Sequence, residues 1–161
     1  MFKPSTKLIR NGAAVAAIVV ATIASASVAV AGECPADKMK ANVRPMVDHK
    51  AVGVTDVTLG SINLEKQPAA IRDRELRFRK LTIAPGGIVP WHSHDDRPAL
   101  IFVQQGEIVE YASNCADPIV HKAGEIRPEV AGTSHWWQNL GKETVILYVG
   151  DVRKDPHDNH M

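Results

Sequence analysis

Aromatic residues are scarce in this chain, with three Phe, three Trp and two Tyr among 161 residues. Positive charge is not in excess either, 19 Lys and Arg standing against 18 Asp and Glu. Without a basic patch or a basic stripe interleaved with rings, nucleic acid is not an expected partner. Cysteine is rarer still, at Cys34 and Cys115 only, and neither has a neighbour close enough for a thiolate metal site or a redox pair. Helical periodicity is missing after Ala31 over any stretch of ten residues, which argues against a helix bundle.

Long apolar runs are absent apart from one. Met1 to Arg10 carries three positive charges and no negative one, and Ala13 to Ala31 is Ala, Val and Ile with a little Ser and Thr, closing on Ala29-Val30-Ala31. That order of basic head, greasy stretch and small-x-small end predicts a secretory leader cut after Ala31, with Gly32 as the new start. The competing reading is a membrane anchor, since about nineteen weakly apolar residues could just span a bilayer. After cleavage no stable span is expected, and the location is periplasmic or secreted. Lys3, Lys7 and Arg10 leave with the leader, so 19 basic residues become 16 against 18 acidic ones. In an oxidising compartment the even cysteine count predicts a Cys34–Cys115 bridge, worth about 4 kcal/mol on loop entropy.

The expected organisation is a leader over 1–31, an arm over 32–50 broken by Pro35 and Pro45, one β-barrel domain over 51–152, and a charged tail over 153–161. Val52 to Leu64 alternates β-branched and polar residues, with Gly60 as a bulge or turn. In "IRDRELRFRKLTI", Leu76 and Phe78 alternate with Arg77 and Arg79, which predicts a strand with an apolar inner side and a charged, solvated outer face. "APGGIVP" is expected to turn the chain. Four more short strands follow, at Ala99–Val103, Glu107–Ala112, Pro118–His121 and Thr144–Val149, separated by Pro, Gly or Asn. Many short strands in one small domain predict an all-β sandwich or barrel.

The chemistry sits in "WHSHDDRPALI". On a strand, residues two apart point the same way, so His92 and His94 can offer two ring nitrogens to one point. His135 follows a Gly-containing turn and precedes two tryptophans, an apolar setting in which an imidazole needs a partner.

These residues fall in a known order. Gly86, His92, His94, Ala99 and Gly106 resemble the first motif of the cupin superfamily, and Gly124, Val130, Gly132, His135 and Asn139 resemble the second. The resemblance runs from about Gly86 to Asn139 and implies a double-stranded β-helix, or jelly-roll, barrel holding one divalent transition metal. Two positions depart from the pattern. Val130 stands where proline is usual, and Ala99 stands where the family usually places a glutamate ligand. The ligand set carried over is therefore His92, His94 and His135, similar to cupins such as the thiol dioxygenases that use histidines alone. Iron is favoured, with manganese, nickel, copper and zinc compatible. Three neutral ligands leave the ion its double charge and an open position, which favours a small, anionic organic ligand.

Around these ligands, Arg97 is a candidate for holding a substrate carboxylate through its fork of donors, or else pairs with Asp95 or Asp96 at the surface. Either aspartate could also lend the oxygen that Ala99 lacks. Alternation turns Trp137 toward the side His135 faces, as a pocket wall, and Trp136 away; core packing accounts equally for these and for Trp91. His121 is expected at the surface, and His157 and His160 in the solvated tail. The function expected is an exported, dioxygenase-like oxidoreductase; a non-enzymatic metal or small-ligand binding protein and an isomerase or epimerase are the alternatives. A homodimer is compatible with the sheet edges of such a barrel.

Overall fold

The computed structural model describes residues 32–154. The leader, the end of the tail, and with them His157 and His160 lie outside the described residues. Among these the only helical piece is one 3₁₀ turn, Ala36–Lys38, and eight strands form the rest: β1 Val52–Asn63, β2 Glu75–Ser93, β3 Ala99–Gln105, β4 Glu107–Ala112, β5 Ile119–Lys122, β6 Ile126–Glu129, β7 Ser134–Gln138 and β8 Val145–Arg153. All named pairings are antiparallel, in the order β5-β4-β7-β2-β8-β3-β6, with β1 along the other edge of β2. The all-β jelly-roll expectation is what the chain adopts.

β2 holds the two halves together. Its first part, Glu75 to Ile83, pairs with β8, and its second part, Ile88 to Ser93, pairs with β7. The segment expected to turn, "APGGIVP", instead lies within this 19-residue strand. Pro85 and Gly86 are exposed there, between the two pairings. Gly86 supplies the left-handed backbone (φ 75°) that other residues resist. At Gly87 a side chain would meet Ile83 and the Ala84 carbonyl oxygen at 2.7 and 2.8 Å. The two glycines let one strand change partners without ending.

Two short strands escaped the sequence pattern. β6 contains Pro128, which removes a ladder donor and is tolerated because β6 is an edge strand. β7 is only five residues long and reads as the tail of a Gly-containing turn. β8 runs further than the expected end at Val149, through Arg153.

The inner face of β2 and β8 corrects one expectation outright. Arg77 and Arg79 are each 3 % exposed while Leu76 and Phe78 are 40 % and 48 % exposed, so the strand is inverted relative to the sequence reading. The cause lies on other strands. Asp151 of β8, itself 1 % exposed, takes a fork from Arg77 at 2.9 and 2.5 Å and stands 3.7 Å from Arg79 Nε, and Asp56 of β1 pairs with Arg79. Two guanidiniums and two carboxylates form a closed group that can be buried, whereas either arginine alone could not. Beyond it the core is aliphatic, with Leu81, Ile83, Val89, Ile101, Val103, Leu147 and Val149 packed around Trp137.

The arm is tied to this barrel by the Cys34–Cys115 bridge. A backbone bridge between Met39 and Cys115 and a bond from Arg44 to the Ala116 carbonyl, 3.1 Å, continue the docking. Replacing Asp151 with alanine removes the carboxylate that takes the Arg77 fork and stands beside Arg79, and is expected to cost about 3 to 5 kcal/mol, read as a lowered urea midpoint; a loss under 1 kcal/mol would show the network to be dispensable.

Candidate metal centre

A bulge aims the first ligand. Val89 pairs with Trp137 and His92 with His135, so three steps along β2 oppose two along β7. The extra residue shifts the side-chain phase by one: Val89 faces inward, and so does His92. Without the irregularity Trp91 would take that place. His94 follows just beyond the strand, its N–H donating to the Thr133 carbonyl at 3.0 Å, and His135 comes from β7 itself.

The three rings are buried, at 8 %, 2 % and 0 % exposure for His92, His94 and His135, and lie steeply inclined to one another, with interplanar angles of 62°, 66° and 83°. Each Nδ1 faces an oxygen that can only accept: His92 on the Pro90 carbonyl at 2.8 Å, His94 on the Arg97 carbonyl at 2.8 Å, and His135 on Glu110 Oε1 at 2.7 Å. The ring proton therefore sits on Nδ1 in every case, and each Nε2 keeps its lone pair, that of His135 with the Trp137 indole N–H 3.3 Å away.

Those lone pairs converge. His135 Nε2 is 3.0 Å from both His94 Nε2 and His92 Nε2, a repulsive arrangement unless a cation stands among them. Two nitrogens about 2.1 Å from one ion are separated by 3.0 Å when the angle between them is about 90°. The donor set thus fits a divalent metal, which His92, His94 and His135 would hold. No carboxylate belongs to this group; Ala99 is buried in the aliphatic core. Asp95 accepts from the Gly132 N–H at 2.7 Å and Asp96 pairs with Arg74, so both are engaged elsewhere.

Burial holds the rings neutral. Desolvation, with the neighbouring His135, brings His94 down to about 4 and pushes His92 well below its ordinary value, which suits ligands that must be deprotonated.

A second layer of charge lies behind His135. Glu110, 0 % exposed, accepts from His135 through one oxygen and lies 2.8 Å from His121 Nε2 through the other. Burial alone would raise Glu110, but the hydrogen bonds from His121 and His135 outweigh it and keep the carboxyl well below its ordinary range. Glu129 shares the space, with Arg127 Nε 3.3 Å from it and 3.4 Å from Glu110. Desolvation raises Glu129 to about 7, with the Glu110 charge adding to the rise. His121 is thus no surface residue: it is 0 % exposed and stacks on Trp137 at 4.6 Å. Strand parity could have shown this, because Ile119 and His121 share one face of β5, as Ile108 and Glu110 do on β4.

Two of the histidines, His92 and His94, border a small cavity of about 20 Å³, together with Arg79, Leu81, Val89, Ile101, Trp137, Leu147 and Val149. Trp137 stands where alternation put it, edge-on to His135 at 88°. Trp136 faces the other way, stacked on Tyr111 at 4.1 Å, and Trp91 borders an outer groove beside Arg44 and Pro45. Arg97 is buried and serves His94 through its carbonyl, and it is not among the cavity walls. The cation on the cavity is Arg79, which the sequence reading had placed in solvent.

The class defined by these features is a small all-β barrel with three convergent histidines that could hold a metal ion. Residues 79–150 match the family model described as Cupin domain. Among solved structures the chain is similar to a predicted oxalate decarboxylase from Thermotoga maritima, with 20 % identity and a TM-score of 0.50 over 67 % of this chain and 99 % of that one. It is also similar to an oxalate oxidase in complex with the substrate analogue glycolate, with 21 % identity and a TM-score of 0.50 over 75 % of this chain and 58 % of that one. No curated protein matches it in sequence.

The neutral rings make the metal-free protein sensitive to acid. Because His92 and His94 take up protons less readily folded than unfolded, their contribution is complete above about pH 6.5 and falls away in acid, that of His94 as pH drops toward about 4. Glu129 acts with the opposite sign between about 4.5 and about 7, so the check is a comparison. Urea unfolding of metal-free wild type and His94→Asn at pH 8 and pH 5 is expected to show a larger acid loss in wild type.

Proposed function

We propose that the protein is exported, cut after Ala31, and binds one divalent transition metal through His92, His94 and His135, acting as a dioxygenase-like oxidoreductase on a small anionic molecule. The observation that carries the metal is the convergence of the three Nε2 atoms, with that of His135 3.0 Å from each of the other two. Three imidazole nitrogens would hold any of several divalent transition metals, and iron is our first choice. When bound, the ion supplies a Lewis acid with positions left open by the absent carboxylate. The disulfide supports an oxidising compartment, and no helix among the described residues is long and apolar enough to cross a membrane.

The protein's own side chains set what can enter. The cavity has room for about one water-sized group, so only the reacting end of a small molecule reaches the histidines. Leu81, Val89, Ile101 and Trp137 exclude water, and Arg79 meets a negative group, with Asp56 and Asp151 fixing its orientation. Glu110 keeps the proton of His135 on Nδ1 and steadies the ring as charge changes at its far side. The size of the cavity also favours a second reading, a metal-holding protein without turnover.

Metal analysis of protein matured in its own compartment, followed by oxygen uptake with oxalate, glycolate and a panel of small thiols and phenols, separates the two. One equivalent of iron with substrate-dependent oxygen consumption is expected; tight metal without turnover selects the second reading. His94→Ala is expected to abolish stoichiometric metal binding while the barrel stays folded by circular dichroism, and retained metal would overturn the ligand assignment. Arg79→Lys keeps the charge but loses the fork. It is expected to weaken binding of small acids about tenfold, measured by calorimetry, with metal content unchanged.

A further inference from the structure

His121 is the only histidine of the inner cluster with an unanswered ring nitrogen. Its Nε2 faces the ionised Glu110 at 2.8 Å, which puts the ring proton on that side. Its Nδ1 is then a lone pair, buried and without any hydrogen-bond partner among the described residues. Gly32 stands against it. A Cβ built on Gly32 would lie 2.9 Å from His121 Nδ1 and 2.9 Å from Glu125 Oε2. The backbone there is left-handed, with φ 86°, and Cys34, two residues on, is bridged to Cys115. A staple therefore holds the Gly32 backbone beside two acceptors, one of them a carboxylate, in a space too tight for any side chain.

Gly32 is also the residue that processing after Ala31 would expose. Hydrolysis of the Ala31–Gly32 amide by water leaves the Ala31 carboxylate on the leader and gives Gly32 a protonated amine. The amide nitrogen had one hydrogen and no charge; the ammonium has three and is positive. We propose that the α-ammonium of mature Gly32 docks between His121 Nδ1 and Glu125, completing a hydrogen-bonded chain through His121, Glu110 and His135 to the metal-facing Nε2. Gly32 is thereby a positioning residue for the metal centre, and leader removal finishes the site. The idea rests on the processing step proposed above. It explains two features together, a glycine where a Cβ would collide with both acceptors and a buried imidazole nitrogen that lacks a donor. Each link is a hydrogen bond whose direction is fixed by the next: ammonium to His121, His121 to Glu110, His135 to Glu110.

The test uses the chain exported and matured in its own compartment, beside a chain that keeps Val30 and Ala31 ahead of Gly32. Intact mass is read first, with a start at Gly32 expected. The α-amine, followed by ¹⁵N NMR, is expected to titrate above the usual value of about 8 because of Glu125, and to return toward it in Glu125→Gln. The His121 ring is expected to carry its proton on Nε2 alone. The extended chain is expected to bind metal about tenfold more weakly in chelator competition. A start elsewhere overturns the processing step and the docking with it. A start at Gly32 with an ordinary amine, or with His121 protonated on Nδ1, overturns the docking alone. A raised amine value in a protein that binds no metal upholds the docking while removing the metal reading.

Discussion

Three hydrogen bonds from ring Nδ1 atoms hold the centre of this protein in place. Two end on backbone carbonyls, of Pro90 and Arg97, and one on the Glu110 carboxylate. An imidazole has two nitrogens and, when neutral, one proton; fixing the proton on one side leaves the other as a donor of electrons. The carbonyls are available because the chain is irregular where they occur, at the β2 bulge and in the turn after His94. A perfectly regular β2 would spend its carbonyls on ladder bonds and would turn His92 to the outside. The departures from ideal sheet are therefore what create the ligand field.

The second constraint is charge. The three convergent rings have no carboxylate beside them, since Ala99 does not supply one. The structure places one directly behind His135, where Glu110 touches it through Nδ1. That arrangement sets a negative charge one ring away from the convergent Nε2 atoms. Arg127 balances Glu110 on its other side, and the neighbouring Glu129 is raised by burial and by the Glu110 charge. On the opposite wall, Arg77 and Arg79 are neutralised by Asp151 and Asp56. The barrel is thus lined by two closed polar groups with the cavity between them, and both can be buried because nearly every charge has a partner.

Much of the fold was legible in the sequence, and the reasons differ by residue. Alternation marked β1, β3, β4 and β8, because a half-buried strand repeats every two residues. The spacing of His92, His94 and His135 between glycines carried the family resemblance, and the even cysteine count anticipated the bridge. The same rule of alternation misled at Arg77 and Arg79, where hydropathy assigns the arginines to water. Their acidic partners come from β1 and β8, far away in the chain, and periodicity is blind to them. His121 was misplaced for the same reason, since its burial depends on Glu110 and Trp137 across two strand pairings.

What the sequence determined by itself is a small all-β barrel with three imidazoles of cupin spacing and no glutamate beside them, since strand period and ligand order are local properties of the chain. Only the tertiary structure decided which way the charged face of β2 points, that one strand runs through Pro85-Gly86-Gly87 by changing partners, and that Glu110, His121 and Gly32 line up behind His135. Each of those depends on free energy shared between residues distant in sequence. A buried charge or an unfilled lone pair is tolerable only once its partner has been brought to it.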